Sequence, residues 1–147
     1  MIKINKERSI GFEIKVIDNM ISRQIIHLNK KYLFHISPIQ ARLMAYIHQN
    51  KDKEVYQKDL EELFNMRRST ISGILKNMEK NNLIERIDSP KDARIKQIIL
   101  TESSKKIGNT IKKQRDIYEK KLKQNISNDD LEIFYKVIDK IKENISN

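Results

Sequence analysis

The sequence predicts a mostly α-helical fold carrying one small β-hairpin. Three observations carry that prediction. Apolar residues recur every three or four positions along most of the chain. Three Gly and two Pro in 147 residues leave few sites for the tight turns of an all-β fold. The helical period gives way to strand-like runs only between Leu83 and Thr101.

The elements follow in order. Ile10, Ile14, Ile17, Ile21, Ile25, Leu28 and Tyr32 trace one helical face over six turns. Ser37-Pro38 breaks that pattern, with Ser37 able to cap a second helix and Pro38 suited to its first turn. That helix spans Pro38 to Gln49, with Ile39, Leu43, Tyr46 and Ile47 inward. A polar stretch, Asn50 to Glu54, leads through Val55 to a small helix from Gln57 to Phe64, whose inward residues are Leu60, Leu63 and Phe64. Asn65-Met66-Arg67 turns into a fourth helix starting near Arg68 or Ser69. Its inward stripe is Ile71, Ile74, Leu75 and Met78; its other face is Ser69, Thr70, Ser72, Gly73, Lys76, Asn77 and Lys80. Asn81-Asn82 ends it, because Asn tolerates the left-handed conformation.

Leu83 to Asp88 and Ile95 to Thr101 then read as two strands around a Ser89-Pro90-Lys91-Asp92 tip. Thr101 can cap a fifth helix, holding Ile107, Ile111, Ile117, Tyr118 and Leu122, with Glu102 at its positive end. Ser127 and Asp130 resemble a capping box opening a last helix with Leu131, Phe134, Ile138, Ile141 and Ile145 on one face. The terminal stripes, Ile10, Ile14, Ile17 and Ile21 at one end and Leu131, Phe134, Ile138 and Ile141 at the other, are too long for the middle module to cover. A second copy of the chain would bury them, so a homodimer is expected. The expected division is a dimerisation region over 1–36 and 102–147 and a compact module over 37–101.

Composition narrows the function. Thirty Lys and Arg against 20 Asp and Glu give a net charge of +10, which favours a polyanionic partner. The absence of Cys excludes disulfides, thiolate metal sites and thiol redox switches within this chain. His27, His35 and His48 read as surface or cap residues, so no metal and no cofactor is expected. With no nucleophile elbow or phosphate loop, and carboxylates scattered along helix surfaces, no enzyme is expected. No run reaches the roughly 18 apolar residues of a membrane span. The polar start, Met1 to Arg8, leads into no signal-like core, so a cytoplasmic protein without membrane contact is expected.

Helix, short turn, helix, hairpin is the layout of a winged helix-turn-helix. Its second helix needs an apolar face to dock and a face of small and basic residues to enter a major groove of DNA. The Ser69 to Lys80 face meets that need, and Gly73 within it fits either close approach to DNA or, equally, the drift of an exposed helix position. From Arg67 to Thr101 eight basic residues stand against four acidic, net +4, whereas Ser127 to Asn147 is net −2. Glu102 to Asn125 is net +5, which reads as a solvated helix face.

From Leu60 to Thr101 the chain resembles the MarR-type (multiple-antibiotic-resistance) transcriptional regulators. Ser69-Thr70-Ile71-Ser72 opens the recognition helix, and Asn82-Leu83-Ile84-Glu85-Arg86 follows it. Asp92-Ala93-Arg94 sits at the wing tip, at a fixed distance from Ile98-Ile99-Leu100-Thr101. Three departures stand out: Asn82 and Ser104 where the family usually has Gly, and Ala93 where it often has Arg.

The resemblance implies that Arg94 reaches a minor groove, that Asp92 orients it through an ion pair, and that Arg86, at the end of the first wing strand, contacts phosphate. Arg67, Arg68, Ser69, Thr70, Ser72, Gly73 and Lys76 would face the major groove, with Lys91 and Lys96 adding charge on the wing. A homodimeric regulator of a pseudo-palindromic double-stranded DNA operator is therefore expected, a repressor released by a small-molecule effector of unknown site. The alternative is a helical dimer serving as an interaction module for an acidic partner protein. RNA binding lacks the exposed aromatics on the hairpin that base stacking requires.

Overall fold

A computed structural model describes residues 8–32 and 36–146. Six helices and one hairpin appear among them, in the order α1 (Ile10–Tyr32), α2 (Pro38–Gln49), α3 (Gln57–Phe64), α4 (Arg68–Lys80), β1 (Ile84–Asp88), β2 (Lys96–Leu100), α5 (Glu102–Leu122) and α6 (Asn128–Ile145). Packing divides the chain between Lys112 and Lys113 into two compact units. No helix among the described residues is long and apolar enough to cross a membrane.

Local signals set the boundaries. Ser37 and Gln40 form a reciprocal capping box: the Gln40 N–H donates to Ser37 Oγ at 3.3 Å, and the Ser37 N–H donates to Gln40 Oε1 at 3.1 Å. Asn65 (φ 47°) closes α3, and Asn82 (φ 57°) turns the chain from α4 into β1. Both are left-handed conformations that Asn accepts more readily than residues with bulkier side chains. Thr101 opens α5 by accepting the Ser104 N–H at 3.2 Å. Strand β1 is one residue shorter than its sequence run, without Leu83, and β2 is two shorter, without Ile95 and Thr101.

The first unit has a continuous core. Leu43 and Met44 of α2, Leu60 of α3, and Ile71, Leu75 and Met78 of α4 are fully buried, joined by Ile84 and Ile98 of the hairpin. Each such side chain contributes roughly 1.5–3 kcal/mol by leaving water. Leu63 does not join them. It is about half exposed, because α3 docks through Leu60 and Phe64.

The hairpin is antiparallel, with Ile84 opposite Leu100, Arg86 opposite Ile98 and Asp88 opposite Lys96. A third segment, unmarked by any strand pattern in the sequence, pairs with its free edge. The Ile98 N–H donates to the Val55 carbonyl at 2.7 Å, and Tyr56 bridges to Gln97. This contact anchors the hairpin beside the start of α3.

In the second unit, Asn125 (φ 61°) ends the turn after α5, and Ser127 Oγ accepts the Asp130 N–H at 3.1 Å to start α6. α6 carries no buried residue; Ile133, Phe134, Tyr135 and Val137 are each about half exposed. In the first unit α1 likewise presents Ile10, Ile14 and Ile17, while Ile21 is half-buried. Leu131, Ile138 and Ile141 are half-buried on α6.

Candidate nucleic-acid interface

α4 has two sharply different sides. Ile71, Leu75 and Met78 have no exposed surface, whereas Arg68, Ser69, Thr70, Gly73, Lys76 and Lys80 are exposed. Ser72 is half-buried at the edge between them. The helix is capped by Arg67, whose backbone is extended and whose carbonyl accepts from Thr70 and Ile71 at 3.0 and 3.1 Å. Ser69 and Thr70 therefore lie inside the first turn and do not cap it. Their hydroxyls stand on the exposed face. Among the described residues no atom lies within 4 Å of where a Gly73 Cβ would be, so none of them requires glycine there.

The orientation of α4 is fixed by polar ties as well as by its core face. Gln40 of α2, itself buried, donates from Nε2 to Asn77 Oδ1 at 2.8 Å. The same oxygen accepts from Asn81 Nδ2 at 3.0 Å. Asn77 is thus engaged by the module and by the end of its own helix. The Ser-x-x-Gln spacing at Ser37 and Gln40 was a usable signal for the cap, but nothing in it announces the second bond to Asn77.

The wing tip is built around Asp92. Its carboxylate accepts from the Arg94 N–H at 3.0 Å, from Arg94 Nε at 3.1 Å and from Arg94 Nη2 at 3.1 Å. The side-chain bonds to Arg94 first, then the backbone bond, hold the Asp92 carboxyl below the usual carboxylate range. The Arg94 side chain is 90% exposed and projects a charged fork into solvent. Lys91 is exposed beside it, and Lys96 pairs with Asp88 across the two strands.

Ser89 at the base of the tip is buried. It accepts from Tyr56 Oη at 2.9 Å and from the Lys91 N–H at 3.1 Å, and donates to Glu54 Oε2 at 3.2 Å. This knot, joining segments about 35 residues apart, has no counterpart in the sequence pattern.

Arg86 stands apart from the other cations. It is the third of five residues in β1, not its end, and its side chain is only 24% exposed. Its Nε lies 3.4 Å from Glu79 Oε2, and its Nη1 donates to Gln57 Oε1 at 3.5 Å.

At the start of α5, Thr101 and Ser104 join the helix to the exit of α4. The Ser104 hydroxyl, fully buried, donates to the Leu83 carbonyl at 2.6 Å, and the Thr101 hydroxyl donates to the Asn82 carbonyl at 2.8 Å. Asn82 and Ser104, two of the three positions that depart from the resemblance, are therefore neighbours in one hydrogen-bonded joint.

The remaining residues singled out by sequence are dispersed. His27 is exposed, His48 is half-buried with its ring close to Gly108, and His35 lies outside the described residues. Among the described residues no three His, Asp or Glu gather as metal ligands. Tyr46 packs against the core of the first unit. The side chain of Tyr32 lies outside the described residues, and Tyr118 and Phe134 belong to the second unit. A groove of about 480 Å³ between the end of α2, β2 and α5 is lined by none of these aromatics.

Comparison with known proteins places this geometry in context. The MarR family model matches residues 36–95. The HTH-type transcriptional regulator YdgJ of Bacillus subtilis (strain 168) is 26% identical over 94 residues, 64% of this chain and 57% of that protein, so the chain aligns with little more than half of its relative. The crystal structure of the transcription regulator MarR from Oenococcus oeni PSU-1 superposes with a TM-score of 0.84 at 28% identity, covering 92% of this chain and 99% of that one. The S. aureus MepR–DNA complex superposes with a TM-score of 0.83 at 22% identity, covering 95% and 99%. The latter likeness is one of fold.

Proposed function

We propose that this chain, whose residues 36–95 match the MarR family model, is a homodimeric DNA-binding transcription regulator. The observation that carries the reading is the pairing of two exposed cationic elements on one small module. α4 and its cap offer Arg67, Arg68, Ser69, Thr70, Gly73 and Lys76 opposite a fully buried stripe, and the wing offers Lys91 and a braced Arg94. A helix with small and basic residues on its outer face suits a major groove, and an exposed arginine on a hairpin suits a minor groove. MepR, of the same fold, has been crystallised with DNA.

The exposed stripes of α1 and α6 support a second copy as the dimer partner, with 1–36 and 102–147 as the dimerisation region. Two recognition helices would then enter successive major grooves roughly 34–36 Å apart on a pseudo-palindromic site. Bound there, the dimer would repress by occlusion, in the cytoplasm. A small-molecule effector would release it by binding better to a dimer whose spacing does not fit the operator.

Selection from a random double-stranded DNA pool at two salt concentrations tests the reading. Enrichment of an inverted repeat, with affinity falling steeply in salt, is the expected result. Salt-sensitive binding without enrichment would reduce the surface to a non-specific basic one and overturn the proposal.

A further inference from the structure

The sequence reading gives Arg86 a phosphate. The structure gives it a different set of neighbours. Strand alternation puts Arg86 on the same face as Ile84, which is buried, and its cross-strand partner Ile98 is buried too. Its guanidinium therefore runs along the inner side of the hairpin, where it meets Glu79 in the last turn of α4 and Gln57 in the first turn of α3. Nε and Nη2 are buried without a hydrogen-bond partner, so the pair with Glu79 is held by charge and proximity and not by an aligned bond. Arg94, by contrast, is almost wholly in solvent.

We propose that Arg86 is a positioning residue: its ion pair with Glu79 ties the root of the wing to the end of the recognition helix and so sets the spacing between the two DNA-contacting elements. This inference rests on the DNA-binding reading above. Glu79 follows Met78, a fully buried anchor of α4, and Lys76 stands one turn before it on the groove-facing side. Arg86 lies in the same strand that leads to the tip bearing Arg94. One charge pair thus joins both elements near their common base. A planar guanidinium can meet Glu79 and Gln57 together, which the compact ammonium of lysine does not reproduce.

The chain has no cysteine, so spin labels can be placed at will. Labels on Lys80→Cys and Lys91→Cys, at the end of α4 and on the wing tip, report the spacing by pulsed dipolar spectroscopy without DNA. A narrow distance distribution is expected, broadened alike by Arg86→Met and by Glu79→Gln, with no further broadening in the double variant. An unchanged distribution would overturn the proposal. On the selected duplex, each single variant should lower the ratio of specific to random affinity by about fivefold, non-additively in the pair, as contacting residues couple. The slope of log affinity against log salt should match the parent. If Arg86→Met instead reduces that slope by about one while Glu79→Gln is silent, Arg86 is a phosphate contact and the positioning role is wrong. Should Arg86→Met fail to fold, Arg86→Lys carries the same comparisons, with broadening expected and parent-like spacing counting against the proposal. A parent chain that selects no duplex would overturn the DNA-binding reading instead, while the label distances still decide the tie.

Discussion

Asp92 and Arg94, two residues apart, are joined by three hydrogen bonds: the carboxylate of Asp92 accepts the backbone N–H, Nε and Nη2 of Arg94 at 3.0, 3.1 and 3.1 Å. The fork geometry fixes the direction of an almost wholly exposed cation on the wing. Because the pair is solvated, its effect on stability is small, and its value is orientation.

Arg94→Ala should weaken binding to all duplexes by a similar factor and reduce the salt slope by about one, read from titrations at several salt concentrations. Asp92→Ala should leave the thermal midpoint close to the parent and still lower affinity, because Arg94 is no longer held. An Asp92→Ala variant that binds as tightly as the parent would show that the brace is dispensable.

The lowered carboxyl pKa of Asp92 fixes the sign of its pH dependence. A native value below the unfolded one gives a contribution that is present above the unfolded pKa and lost as pH falls through the native one. The brace should therefore be insensitive to pH from 5 to 8, with loss confined to pH below about 4. Following the Arg94 Nε–H resonance by NMR during acid titration checks this, and a change near neutrality would point to another group.

Gly73 has open space where a Cβ would go. Gly73→Ala should thus raise stability, by up to about 1 kcal/mol on helix propensity, as seen in thermal or urea unfolding. If the face approaches DNA closely, the same substitution should lower specific affinity. A variant both more stable and equally tight would mean that the glycine has no part in the interface.

The joint after α4 should discriminate its residues by conformation and by burial. Asn82→Gly should be near neutral, whereas Asn82→Ala should cost about 1 kcal/mol because φ is positive. Ser104→Ala should cost about 1–2 kcal/mol by removing a buried donor to the Leu83 carbonyl, although the Thr101 N–H still bonds that oxygen at 3.2 Å. Denaturant titrations of the three variants give the order directly.

Phe134 is 52% exposed on an α6 face without buried residues. Phe134→Glu together with Ile138→Glu should leave the circular dichroism of the chain helical and shift its sedimentation from dimer to monomer. Retention of the dimer would move the interface elsewhere.

The elements themselves were legible in the residue order because their causes are local. Helix stripes, the Ser37-Pro38 start, the Asn82 exit and the Ser127 cap each depend on residues within a turn or two of one another, and the observed boundaries fall within about one residue of those signals. The Asp92–Arg94 brace was expected only through the family resemblance; it is a contact between residues two apart in the chain. What only the tertiary structure decided are contacts between distant segments. Arg86 meets Gln57 and Glu79 and not open solvent, Val55 and Tyr56 pair with β2, Ser89 is buried under Tyr56 and Glu54, and Leu63 turns outward. Periodicity shows which face of an element is apolar. It does not specify which polar side chain from some 30 residues away meets that face, because the direction of a long side chain is set by where the neighbouring elements pack.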